Sequence, residues 1–257
     1  MSERETHQPG VPCWVDTLQP DPQATIRFYA GLLGWEFDGP GPGDYYVARL
    51  HGRDVAGVGA QPPGVPSAWN TYVSVASAED AAPAVAGAGG RVLIEPFDAL
   101  PAGRVAVLED PTRAVIGLWE PAERQGAQLV NAPSAWAMSI LHTDRTHDAA
   151  DFYREVFGWE TESFAPGLTL FRLPGYVGGE PAQPVPRDVV AVMAEDDAVP
   201  GYWSVGFWVA DADALAGGTR ELGGSVLAPP SDAAGMRQAV LADPTGATFS
   251  VTTAPAG

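Results

Sequence analysis

The chain contains no lysine; its fourteen basic residues are all arginine. Without an ε-amine it cannot form a Schiff base, anchor a pyridoxal cofactor or supply the lysine of a P-loop. A single cysteine, Cys13, excludes an internal disulfide and a cysteine-rich metal knuckle. Histidine is scarce, with four residues, and no serine–histidine–aspartate spacing stands out around them. No glycine-rich nucleotide loop follows a strand and opens a helix, so no cofactor is expected. Positive charge is short overall: the net charge of −18 opposes phosphate backbones and anionic lipid, so neither nucleic acid nor membrane is an expected partner. No apolar run reaches the roughly 18 residues needed to span a bilayer. The polar opening MSERETHQPG has no secretory signal, and a cytoplasmic location is expected.

What the chain does have is a repeat. RFYAGLLGWEF at 27–37 returns as DFYREVFGWET at 151–161, GGRVLIEP at 89–96 as GGSVLAPP at 223–230, and VLEDPTRA at 107–114 as VLADPTGA at 240–247. Three matched blocks in one order mark an internal duplication. At 257 residues, two domains of ordinary size fit, at 10–122 and 131–254. Each half reads strand, helix, strands twice over, giving modules at 10–60, 66–122, 131–194 and 199–254. Asp21 caps an expected helix with Pro22 at its first position, and Gly34 suits its left-handed end. Further helices are expected at 79–88, 147–157 and 212–222, with a linker at 121–133. The mixed content implies an α+β fold of four βαβββ modules.

The blocks Asp21, Phe28, Tyr29, Leu33, Gly34, Trp35 and Asp144, Phe152, Tyr153, Phe157, Gly158, Trp159, with the GG-x-V turns and Asp-Pro-Thr hairpins, carry a resemblance over nearly the whole chain. It resembles the vicinal-oxygen-chelate superfamily of glyoxalases, bleomycin-resistance proteins and extradiol dioxygenases, in a tandem two-domain actinobacterial form. The resemblance implies two glyoxalase/bleomycin-resistance-like domains whose sheets curl into ligand-enclosing cups. In metal-using members, ligands come from first and last strands of the modules. The corresponding residues here are Trp14, Asn70 and Gly117, and in the second half Trp136 to Met138, Ser204 and Ser250. None is His, Asp or Glu, so no metal is expected at the family site. An unusual site using Asp16 or His142 is the alternative.

Strand alternation directs Trp14, Asp16, Asn70, Tyr72, Ser74 and Trp119 into one cup, and Met138, Ser204, Trp208 and Ser250 into another. Large aromatics mixed with small hydroxyl and amide groups suit an aromatic, oxygen-decorated small molecule. Trp14, Trp69, Trp136 and Trp203 recur at module starts, which equally suits plain core packing. Asp16, desolvated beside Trp14, is the candidate general base, and His142 a second candidate for proton transfer; a carboxylate satisfied by its neighbours and a surface histidine are the plainer readings. Asp110 and Asp243 read as turn residues, and Arg113 stands where the hairpin wants glycine. Two functions follow: a metal-independent tailoring enzyme catalysing proton transfer, cyclisation or ring opening, or a protein that sequesters a drug or metabolite. A metal-dependent glyoxalase or dioxygenase and a protein adaptor are weaker alternatives. Monomer and homodimer are both compatible with the sequence.

Overall fold

The computed structural model describes residues 2–178, 186–197, 199–233 and 235–253. Residue 254, the expected end of the second domain, lies outside them. The first half runs β1 (Ser2–Glu3), β2 (Pro12–Gln19), α1 (Pro22–Leu33), β3 (Glu36–Gly41), β4 (Tyr45–Leu50), β5 (Arg53–Ala60), β6 (Ala68–Ser74), α2 (Ala78–Gly87), β7 (Arg91–Ala99), β8 (Gly103–Glu109) and β9 (Val115–Pro121). β10 (Leu129–Val130) lies between the halves. The second half runs β11 (Trp136–Thr143), α3 (Thr146–Phe157), β12 (Glu160–Ala165), β13 (Leu168–Arg172), β14 (Val189–Glu195), β15 (Tyr202–Val209), α4 (Ala212–Glu221), β16 (Ser225–Ala233), β17 (Met236–Ala242) and β18 (Thr248–Thr253).

Each half forms its own eight-stranded sheet, in the orders β3-β4-β5-β2-β6-β9-β8-β7 and β12-β13-β14-β11-β15-β18-β17-β16. The two orders are the same order repeated, as the duplicated blocks require. Within each sheet the first strands of the two modules pair antiparallel at the centre, β2 with β6 and β11 with β15. Each cup is therefore built within one half.

Local signals place the helices. The Asp21 carboxylate accepts from the Ala24 N–H, Pro22 opens α1, and Gly34 closes it at φ 71°. Gly158 ends α3 the same way at φ 73°. Arg113 adopts φ 76°, where its counterpart in the second half is Gly246 at 94°, so this hairpin holds a left-handed arginine.

The two sheets meet through their helix-bearing faces. One core joins Tyr29, Trp35 and Trp69 to Phe207 and Phe249 of the other half. The second joins Val73, Val85 and Leu118 to Phe152, Tyr153, Trp159 and Trp203. Between the sheets, Thr71 and Ser139 share a hydroxyl–hydroxyl hydrogen bond of 2.6 Å. Tyr29 donates to Asp243 across the halves, and Tyr153 donates to Asp110 in the reverse direction. The Asp-Pro-Thr aspartates thus hold their own turns and also receive the partner half's tyrosine.

The N-terminal segment is tied into this frame. The His7 ring is paired with the Ala127 carbonyl, Ser74 donates to the His7 carbonyl, and Gly10 accepts from the Trp159 indole. Burial pushes the His7 imidazole below its ordinary pKa.

Candidate active site in the first cup

The concave face of the first sheet encloses a cavity of about 860 Å3, within the range of small-molecule sites. Trp14, Asp16, Tyr45, Tyr72, Trp119 and Arg124 line it. The register explains the grouping. Asp16 on β2 stands opposite Asn70 on β6 and Gly57 on β5, while Tyr72 stands opposite Trp14 and Gly117.

Asp16 is buried, with 4% exposure. Its carboxylate accepts from Asn70 Nδ2 at 2.9 Å, from the Tyr45 hydroxyl at 3.0 Å and from the Tyr72 hydroxyl at 3.1 and 3.2 Å. The Trp14 indole N–H in turn donates to the Tyr45 hydroxyl at 2.8 Å. Burial drives the Asp16 pKa up and the three donors pull it back, leaving it at about 6. Burial first, and the Asp16 charge second, hold Tyr45 and Tyr72 well above the ordinary phenol value. At neutral pH the site is an ionised, poorly solvated carboxylate flanked by two neutral phenols. Such a carboxylate can take a proton from a bound molecule, and the phenols can turn to donate to the oxygen on which charge develops.

Sequence alternation groups Trp14, Asp16, Asn70, Tyr72 and Trp119, but two contributors, Tyr45 and Arg124, are absent from it. Tyr45 sits two strands away from Asp16 and crosses β5 only because residues 57 and 59 are glycines: a Cβ at Gly57 would overlap the Tyr45 hydroxyl, and one at Gly59 would lie 2.8 Å from the ring. The pair of glycines in an otherwise apolar strand was the available signal. Arg124 belongs to the segment between the halves. The Trp119 indole donates to its carbonyl, Asp54 holds its guanidinium at 3.0 Å, and that guanidinium lies 5.7 Å from the Trp14 ring centroid. The supposed linker therefore forms one wall of the cup. A Gly57→Ala variant is expected to displace Tyr45 and to weaken binding of an aromatic ligand about tenfold, roughly 1.4 kcal/mol, in a tryptophan-fluorescence titration; unchanged affinity would remove Tyr45 from the site.

Ser74 does not join this group. It is buried at the end of β6, where its hydroxyl is committed to the His7 carbonyl. The remaining sequence candidates belong to the second sheet, so Asp16 and His142 lie on separate sheets. Met138 borders a small cavity of about 50 Å3 beside Trp136. Trp208 is half-buried and bonded through its backbone to Ala135 and Ser134. Ser250 pairs in register with Gly206.

The register also corrects the alignment of the halves. Ile140, opposite Ser204, is the counterpart of Asp16, and Met138, opposite Gly206, is that of Trp14. Trp136 corresponds to Pro12, each followed by the same irregularity, so Trp14 and Trp136 are not equivalent. The irregularity is common to both halves, so the 124-residue offset of the repeated Phe-Tyr blocks holds through the first strands, and the recurrence of tryptophan at 14 and 136 is a coincidence of residue type rather than of position.

His142 has its own partners. Its Nε2 lies 2.9 Å from Ser204 Oγ and its Nδ1 3.4 Å from Asp196 Oδ2. The Tyr202 ring stacks on it at 4.5 Å and 6°. Burial lowers the His142 pKa, against the pull of Asp196.

The donor set does not fit a divalent cation. In the first cup Asp16 is surrounded by an amide and two phenols that point their hydrogens at it, and no three His, Cys, Asp or Glu converge among the described residues.

A family profile described as a glyoxalase-like domain matches residues 138–252. The chain is 37% identical to the putative glyoxylase CFP32 of Mycobacterium bovis, covering 98% of this chain and 97% of that protein. It is 34% identical to the anthracycline biosynthesis protein DnrV of Streptomyces peucetius, covering 95% and 93%. The fold is shared with the Mn(II)-bound glyoxalase of Novosphingobium aromaticivorans, at a TM-score of 0.67 and 16% identity over 100% of this chain and 84% of that one. The chain belongs to the glyoxalase-like family of the vicinal-oxygen-chelate superfamily. Among the described residues, no helix is long and apolar enough to cross a membrane.

Proposed function

We propose that this protein is a tailoring enzyme for an aromatic, polyketide-like metabolite, working in the first cup by proton transfer without a divalent cation. The observation that carries the reading is the Asp16 carboxylate at the base of the aromatic cavity, raised to about 6 and bonded to two phenols. The similarity to a protein named for anthracycline biosynthesis supports the substrate class. A flat ligand would lie against Trp14 and Trp119, with its carbonyl or phenolic oxygen toward Tyr45 and Tyr72. Asp16 would remove a proton from a carbon next to that carbonyl, and the phenols would hold the enolate oxygen. Returning the proton to a different carbon isomerises the molecule; attack by the enolate on a second carbonyl, with the proton delivered to the new alkoxide, closes a ring. Neither outcome needs an oxidant.

The test is incubation with a panel of anthraquinone and naphthoquinone polyketides in D2O after chelator treatment, with mass and chromatographic analysis of each recovered ligand. Deuterium at a carbon-bound position, or a new isomer, is the expected result. A ligand that binds and returns unlabelled and unchanged would overturn the enzymatic reading in favour of sequestration. Turnover abolished by the chelator would overturn metal independence.

A further inference from the structure

The concave face of the second sheet carries a different chemistry. His142 on β11 and Ser204 on β15 are diagonal neighbours there, since Ile140 opposes Ser204 and Tyr202 opposes His142. Their alternate neighbours Leu141, Trp203 and Val205 are buried in the helix-facing side. Asp196 follows β14 and is positioned by its backbone N–H, which donates to the Thr143 carbonyl at 3.1 Å. The imidazole is therefore fixed on three sides: Asp196 at Nδ1, Ser204 at Nε2 and the Tyr202 ring on its face. The tautomer with Nδ1–H toward Asp196 turns the Nε2 lone pair to Ser204 Oγ, whose hydroxyl also has the Ile140 carbonyl at 3.5 Å as an acceptor. Half-buried Ser204 and one-fifth-exposed His142 both retain some exposure to solvent.

We propose that Ser204, His142 and Asp196 form a nucleophilic relay that transfers acyl groups from activated esters, a second activity independent of Asp16. The steps balance as hydrolysis. Ser204 Oγ bonds to the ester carbonyl carbon while its proton passes to His142 Nε2. The tetrahedral adduct then expels the alkoxide or phenolate, which takes the proton from Nε2. Water repeats the sequence on the acyl-serine and releases the acid. Asp196 keeps its charge throughout and holds the imidazole in the productive tautomer. No separation along the sequence betrays the trio, because its members come from the ends of three strands that are neighbours only in the sheet.

The whole protein is treated with a fluorophosphonate, whose phosphorus accepts Ser204 Oγ as fluoride leaves and the proton goes to His142. One label on the peptide containing Ser204 is expected, with none in Ser204→Ala. Labelling should slow at least about 100-fold in His142→Ala and about tenfold in Asp196→Asn, and should be unchanged in Asp16→Asn. Imidazole 15N shifts of the unlabelled wild type should report the Nδ1–H tautomer, a reading that needs no variant to fold. Absence of label at Ser204, labelling indifferent to His142, or an Nε2–H tautomer would each overturn the relay.

Discussion

Asp16→Asn is expected to lower turnover about 1000-fold while leaving ligand affinity within a few-fold, the signature of a lost general base. Asparagine keeps the shape of the carboxylate and can still accept from Asn70 or a tyrosine, so binding geometry survives; the lone pair that takes the proton does not. The same substitution has a stability signature that does not depend on the substrate. The Asp16 pKa is about 6 in the fold against 3.8 for an ordinary aspartate, because burial penalises the charged form. Between these values the folded chain binds more protons than the unfolded one, so stability falls as pH rises from about 4 to about 6 and stays lower above that. The difference of roughly two units corresponds to about 3 kcal/mol. Wild-type turnover should rise through about pH 6, where Asp16 ionises in the fold. Denaturant titrations at pH 4 and 7.5 should show this loss in the wild type and a flatter response in Asp16→Asn. A pH response unchanged by the substitution would mean that Asp16 does not titrate there.

Asp243→Ala is expected to destabilise the fold by about 4 kcal/mol, lowering the midpoint of thermal unfolding by about 10 °C. One carboxylate oxygen accepts from the Thr245 and Ala247 N–H groups and the Thr245 hydroxyl. The other accepts from the Tyr29 hydroxyl at 3.2 Å and Gln19 Nε2 at 3.0 Å, both from the opposite half. Trp69 donates to the same tyrosine hydroxyl, so truncation strands a buried turn and a buried cross-half chain together. Asp110 with Tyr153 and Trp203 repeats the arrangement in the other direction. Asp110→Ala should match Asp243→Ala, and Tyr29→Phe should cost less, about 1–2 kcal/mol, because the carboxylate keeps its other donors. Circular-dichroism melts of the three variants check the order. A fall below about 3 °C for Asp243→Ala would show that the halves are held by their apolar cores alone.

The duplication, the module rhythm and the helix ends are all legible in the sequence, because each rests on short-range rules. Period 2 directs Asp16 and Tyr72 to one face, an aspartate–proline pair opens α1, and a glycine in the left-handed region closes it. The same alternation groups Trp14, Asp16, Asn70, Tyr72 and Trp119, since all five lie on the three central strands of one sheet. What spans several strands or crosses the halves is not legible. Tyr45 reaches Asp16 over two small residues in an intervening strand, and Arg124 arrives from a segment with no regular pattern.

By itself the sequence determined the superfamily, the repeated strand–helix order and the aromatic residues of the first cup, because these follow from residue type and local spacing. Only the tertiary structure decided that each sheet closes within one half, that the turn aspartates clasp the opposite half's tyrosines, and that Asp16 and His142 lie on separate sheets. Those outcomes depend on register and on contacts between residues as much as 226 positions apart, which no periodicity encodes.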